Sequence, residues 1–285
     1  MTLEQIPSRS TTLGDLPIRR VLPVRGKRMI GAWCFLDRYG PLSFSDGRPM
    51  DVAAHPHIGI QTVSYLLDGE VVHYDSLGYE ALLRPEGVNV MTSGGGIAHA
   101  EVTPAVNRGS LSGVQLWVAM TNALRNGRPS FEHTSEVARD ESRGSITRAF
   151  MKTETLIGTD VQLYARSDIT LRLRADFEYG FLLLDGNVQI EDEQLDDRTL
   201  YYAPPGRTDI SLRTRSGARL LLLGGPPFPE KIVMWWNFVA RDAEEIRAAR
   251  EAWERGDRFG VVAGYGGPRI AAPDLVRFAP PNPAS

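Results

Sequence analysis

Short runs of Val, Leu, Tyr and Trp, interrupted every few residues by glycine, proline or charge, organise most of the chain. Gly31–Asp37 (GAWCFLD), Gln61–Leu67 (QTVSYLL), Glu70–Asp75 (EVVHYD) and Gly113–Ala119 (GVQLWVA) are β-branched or aromatic and end at turn residues, which predicts strands. Asp68-Gly69 joins two of them with a pair suited to a tight hairpin. The pattern returns 117 residues later, where FLLL-DG-NVQIE around Asp185-Gly186 echoes YLL-DG-EVVHYD. Pro204-Pro205-Gly206 likewise follows Pro85-Glu86-Gly87 at an offset of 119, so a duplicated β domain is expected. Residues 121–145 are polar, lack sustained alternation and read as a linker, giving domains at 1–133 and 134–285.

One long helix is predicted, over 243–255. Asp242 can cap it, Glu245 stands at capping-box spacing and Gly256 can stop it, while Ile246, Ala249 and Trp253 form a packing stripe. The Pro/Gly/Ala-rich tail from Gly264 reads as extended, with loose last residues. The expected class is all-β, with one C-terminal helix.

Composition narrows the function. The 285 residues carry 32 Lys+Arg against 35 Asp+Glu, a net charge of −3 without long like-charge runs, which argues against direct nucleic-acid binding. No apolar stretch approaches the ~20 residues of a membrane span, and the first twenty residues lack a signal-peptide core. A single cysteine, Cys34, excludes an internal disulfide and a multi-thiolate metal cage. A cytoplasmic location is expected.

All five histidines precede Thr134. His55-Pro56-His57 and His99-Ala100-Glu101 are each i, i+2 pairs, which a strand points to one face, and Pro56 biases His55 towards extended backbone. Two neighbouring strands would aim three imidazoles and a carboxylate at one point. That donor set suits one divalent Fe, Mn, Co, Ni, Cu or Zn ion and leaves octahedral positions open for catalysis. A lone His-x-His is often accidental; the second pair downstream makes metal binding the better reading. His73 reads as a core residue or a partner of a ligand, and His133 as solvated. Gly94-Gly95-Gly96, with no Lys-Ser/Thr after it, reads as a tight turn rather than a phosphate loop. The second repeat has no histidine, and the offset of 117 places Arg172 and Arg174 where His55 and His57 stand, so it cannot hold the same site.

HPHIGIQTVSYLLDGEVVHYDSLG, LRPEGVNVMTSGGGIAHAE and GVQLWVAM resemble the pirin family, bicupins of the cupin superfamily, and GGPPFPEKIVMWWNFVARDAEEIRAA resembles the pirin C-terminal domain. The resemblance runs over about 21–260. It implies two stacked antiparallel, jelly-roll-type β-barrels, with N-terminal strands and C-terminal segment crossing between them. It also implies a metal, usually Fe(II), on His55, His57, His99 and Glu101. Gln61 stands near the glutamate that general cupins carry, as expected where the acidic ligand comes from the later motif. Two activities follow from the resemblance. One is a metal-dependent dioxygenase opening a flavonol such as quercetin, with Glu101 also taking the flavonol hydroxyl proton. The other is a non-catalytic, redox-sensing iron protein that regulates a transcription or metabolic partner by protein binding. Under the first, Phe35, Met91 and Trp117 are candidates to line an aromatic pocket, and Gln115 to orient a ligand histidine. A sugar isomerase fits less well, because the residues around the motifs are mainly apolar.

Overall fold

In the computed structural model, residues 2–45, 49–142 and 144–275 are described. The chain divides into two units. One holds 12–18, 38–136 and 229–285, the other 1–11, 19–37 and 137–228. The strands Leu16–Leu22 and Trp33–Ser43 therefore contribute residues to both.

In the unit with the histidines, Asp51–His57, Ile97–Val102, Val71–Asp75 and Glu80–Leu83 form one sheet in that spatial order, with antiparallel neighbours. A second sheet runs Ser130–Thr134, Val88–Thr92, Ile60–Asp68, Ser110–Ala119, Trp33–Ser43, Leu16–Leu22 and Arg9–Leu13. The other unit repeats the plan: Asp168–Arg172, Asp209–Arg213, Gln189–Ile190 and Glu193–Gln194 in one sheet, and Thr199–Ala203, Glu178–Gly186, Ala218–Gly225 and Ile157–Leu163 as neighbours in the other. These strands correspond in chain order and sheet order to those of the histidine unit, so the predicted duplication holds; the outermost strand differs, Ser130–Thr134 following its repeat and Glu4–Pro7 preceding the other.

The two DG turns occupy equivalent places, but neither closes the expected hairpin: each joins strands of two different sheets, Ile60–Asp68 to Val71–Asp75 and Glu178–Gly186 to Gln189–Ile190. Gly69 has φ 87° and Gly186 φ 77°, and a Cβ there would stand 2.3 Å from the Ser110 carbonyl oxygen and 2.4 Å from that of Gly217 respectively. The other landmark pair is not equivalent. Pro85–Gly87 precedes Val88–Thr92, whereas Pro204–Gly206 follows Thr199–Ala203, the strand corresponding to Val88–Thr92. The repeat was found correctly with one true landmark and one coincidence of turn composition.

The predicted strands shift modestly: Gly31–Asp37 becomes Trp33–Ser43, and Gly113–Ala119 begins earlier, at Ser110. The polar segment 121–145 is more than a linker. Its Ser130–Thr134 pairs with Val88–Thr92, and Arg139–Ser142 with Ser145–Lys152. Both are edge strands, exposed at most positions, which is why hydrophobic alternation misses them.

The helix spans Ala243–Arg255 as expected. The Asp242 carboxylate accepts from the amides of Glu244 and Glu245, and Gly256 ends the helix at φ 80°. Ile246, Ala249, Ala252 and Trp253 are buried with Ala54, Ala98 and Ala100 from the first histidine sheet. The helix thus belongs to the histidine unit rather than to the repeat it follows in sequence. Trp253 Nε1 donates to the Ile270 carbonyl, tying down the start of the tail; the last ten residues, expected to be loose, lie outside the described residues. Among the described residues no helix is long and apolar enough to cross a membrane.

Candidate metal centre

Alternation along Asp51–His57 and Ile97–Val102 sends His55, His57, His99 and Glu101 to one side, while Ala54, Ala98 and Ala100 meet the helix on the other. The strands pair so that His99 stands opposite His55 on one side and Asp75 on the other, and Glu101 stands opposite His73. A register shift between His99 and Glu101 marks a bulge, a device that re-aims a side chain. His55 and Glu101 are 6% exposed, His57 and His99 1%.

Among the described residues, two groups of side chains are close enough to hold a metal: His55 with His57 and His99, and His73 with His99 and Glu101. The structure therefore gathers the three predicted imidazoles, with Glu101 joined to them through His99. Ser64 Oγ, 2.7 Å away, donates to one Glu101 oxygen and also stands 2.8 Å from the side-chain amide of Gln115. Gln115 accordingly supports the serine that holds the carboxylate; its predicted partner, a ligand histidine, is corrected to Ser64.

The proton positions follow from what each ring faces. His55 Nδ1 is 2.8 Å from the Ala53 carbonyl and His57 Nδ1 is 3.0 Å from the Asn237 carbonyl. A carbonyl only accepts, so both rings carry the proton on Nδ1 and present a lone pair at Nε2. The Asn237 carbonyl comes from the hairpin Val233–Ala240, far away in sequence. Burial pushes the His55 imidazolium down to about 4, and holds His57 and His99 well below the ordinary histidine value. Burial pushes Glu101 up, opposed by the Ser64 hydrogen bond. The pocket thus disfavours charge on any of these groups until a cation enters, which reverses the balance.

The donor set fits such a cation. Two nitrogens each about 2.1 Å from one octahedral ion stand about 3 Å apart, and His57 Nε2 lies 3.0 Å from His99 Nε2.

Of the pocket candidates, Trp117 meets the site: its ring lies edge-on to His57 at 5.2 Å. Met91 is buried with Ile97 and Phe131. Phe35 is buried in Trp33–Ser43, with the Arg20 guanidinium 4.6 Å from its ring centre. His133 is exposed and bonded to Asn89, as expected for a solvated residue. Gly94 and Gly96, at φ 48° and 151°, form the expected turn. Sequence reasoning missed Ser64, Asp75, Phe131 and Asn237; Asp75, two residues after His73 on one strand, was findable by the same i, i+2 rule.

Comparison with known proteins matches two family models, Pirin over residues 16–118 and the Pirin C-terminal cupin domain over 158–260. The chain belongs to the pirin family. Among its relatives, a Pseudomonas aeruginosa protein named "Putative quercetin 2,3-dioxygenase" is 39% identical, over 96% of this chain and 90% of that one. A pirin-like protein of Caulobacter vibrioides is 32% identical, over 87% and 92%. The crystal structure of a quercetin 2,3-dioxygenase from Acinetobacter baumannii superimposes with a TM-score of 0.92 at 39% identity, covering 96% of each chain. The pirin fold here is an all-β bicupin, one unit of which carries the histidines. The corresponding unit is filled by an apolar core including Phe177, Tyr179, Phe181 and Leu220.

Proposed function

We propose that His55, His57, His99 and Glu101 hold one divalent metal ion, iron being the family's usual choice, and that the protein is a metal-dependent dioxygenase opening a flavonol such as quercetin. The observation carrying this reading is the convergence of three buried, neutral imidazoles beside a carboxylate, in a chain 39% identical to an enzyme of that name. Bound divalent iron or its equivalent supplies Lewis acidity and one-electron chemistry with dioxygen.

The residues of the chain do the rest. Glu101, pushed up by burial, is suited to take the proton of an acidic flavonol hydroxyl, and Ser64 steadies the carboxylate by donating to it. The deprotonated flavonol is the electron-rich form that dioxygen attacks. Trp117 offers a flat apolar wall beside His57 for an aromatic substrate. Burial of all four groups excludes bulk water.

The test is dioxygen uptake by iron-reconstituted protein given quercetin, with Glu101→Gln in parallel. Uptake should track flavonol loss and collapse in the variant, while the variant keeps its fold. Absence of uptake by metal-replete protein would refute the enzyme and leave the redox-sensing regulator as the reading to pursue.

A further inference from the structure

His73 and Asp75 are buried on Val71–Asp75, the strand paired with Ile97–Val102, and the proposed ligand set uses neither. Asp75 Oδ1 accepts from the amides of Leu77 and Tyr79 at 2.9 and 3.0 Å, which pins the carboxylate at the turn. Its Oδ2 lies 3.3 Å from His73 Nε2. The other nitrogen of His73, Nδ1, lies 3.4 Å from His99 Nδ1. Phe131 stacks on the His73 ring at 4.1 Å and an interplanar angle of 6°, fixing its plane.

An ionised carboxylate only accepts, so His73 carries its proton on Nε2 and offers a lone pair at Nδ1. His99 must then donate from Nδ1, which leaves its Nε2 bare, facing the bare Nε2 of His57 at 3.0 Å. Two lone pairs that close repel unless a cation lies between them.

We propose that Asp75 and His73 are positioning residues that act in series to hold His99 in its metal-binding tautomer. Carbonyls of Ala53 and Asn237 do this for His55 and His57; among the described residues no carbonyl hydrogen-bonds the His99 ring, and the relay takes that role. Outer partners of this kind orient a ligand and raise its basicity. The inference rests on the metal reading above.

The test uses the full chain with cobalt(II) as probe. Metal-free protein labelled with ¹⁵N-histidine gives the tautomer of each ring by NMR, and cobalt titration gives affinity and stoichiometry. Wild type should show His99 protonated on Nδ1 and bind one equivalent. His73→Phe removes the acceptor and should bind cobalt about 10–100-fold more weakly, with His99 no longer confined to that tautomer. His73→Asn, whose side-chain oxygen can stand in for Nδ1, should restore both. Asp75→Asn keeps an acceptor for the two amides but donates to His73, so it should move the His99 proton to Nε2. Thermal melts verify that each variant is folded.

Unchanged affinity and tautomer in folded His73→Phe would overturn the proposal. Two equivalents in wild type falling to one in His73→Phe would also overturn it, making His73 a ligand with His99 and Glu101. If wild type binds no cobalt, the metal reading fails by itself, and the proton position on His99 still decides the relay.

Discussion

Acid should destabilise the metal-free protein through its buried histidines, and His55 allows the effect to be sized. Burial lowers its imidazolium to about 4 from an ordinary 6.5, with the nearby His73 adding to the shift and the Ala53 carbonyl opposing it. Between those pH values the unfolded chain binds a proton at this position and the folded one does not. Stability therefore falls as pH drops through the window and is complete above it. The gap of about 2.5 pH units, at about 1.4 kcal/mol each, corresponds to about 3 kcal/mol for His55. Urea unfolding of chelator-treated protein from pH 7.5 to pH 4, alongside His55→Gln, isolates that contribution. Wild type should lose about 3 kcal/mol more than the variant over the range, and the residual slope of the variant should reflect His57 and His99, lowered for the same reason. Parallel stability curves for the two proteins would refute the argument that this pocket keeps His55 neutral by desolvation. Metal binding needs the same neutral rings, so protons should displace metal at His55 in the folded protein only as pH falls towards about 4.

His57→Ala or His99→Ala should leave a folded protein and weaken metal binding by more than the ~10–100-fold that loss of an outer partner costs; full metal occupancy in either, measured by elemental analysis, would sink the ligand assignment. Gly59→Ala should damage the site without touching a ligand. Gly59 has φ 70°, and a Cβ there would stand 2.1 Å from the Val239 carbonyl, so about 2 kcal/mol or more of stability should go, read from the urea midpoint, with weaker cobalt binding beside it. Asp242→Ala should cost about 1 kcal/mol through two orphaned amides at the helix start, while cobalt affinity stays close to that of wild type.

The parts of the fold that were legible are those written in local chemistry. Runs of β-branched and aromatic residues marked Trp33–Ser43, Ile60–Asp68, Val71–Asp75 and Ser110–Ala119, DG marked equivalent turns at Gly69 and Gly186, and Asp242, Ile246, Ala249, Trp253 and Gly256 spelled out the helix. The edge strands Ser130–Thr134 and Arg139–Ser142 escaped because exposed strands bury too little to pattern their sequence. The site was half legible. Strand periodicity picked out His55, His57, His99 and Glu101 as two same-face pairs. It had no way to find Ser64 against Glu101, because that contact depends on which strands face each other.

By itself the sequence determined which side chains share a face, since a strand's period of two follows from covalent geometry alone. It also determined that the second repeat, lacking histidine, could not bind metal in the same way. Only the tertiary structure decided that the helix and the hairpin Val233–Ala240 join the histidine unit, and that the Asn237 carbonyl stands against His57 and the Asp75–His73 pair against His99. Those partners lie tens of residues or more from at least one histidine they face. Hydrogen bonding reads distance and direction in space, so no local pattern in the chain announces them.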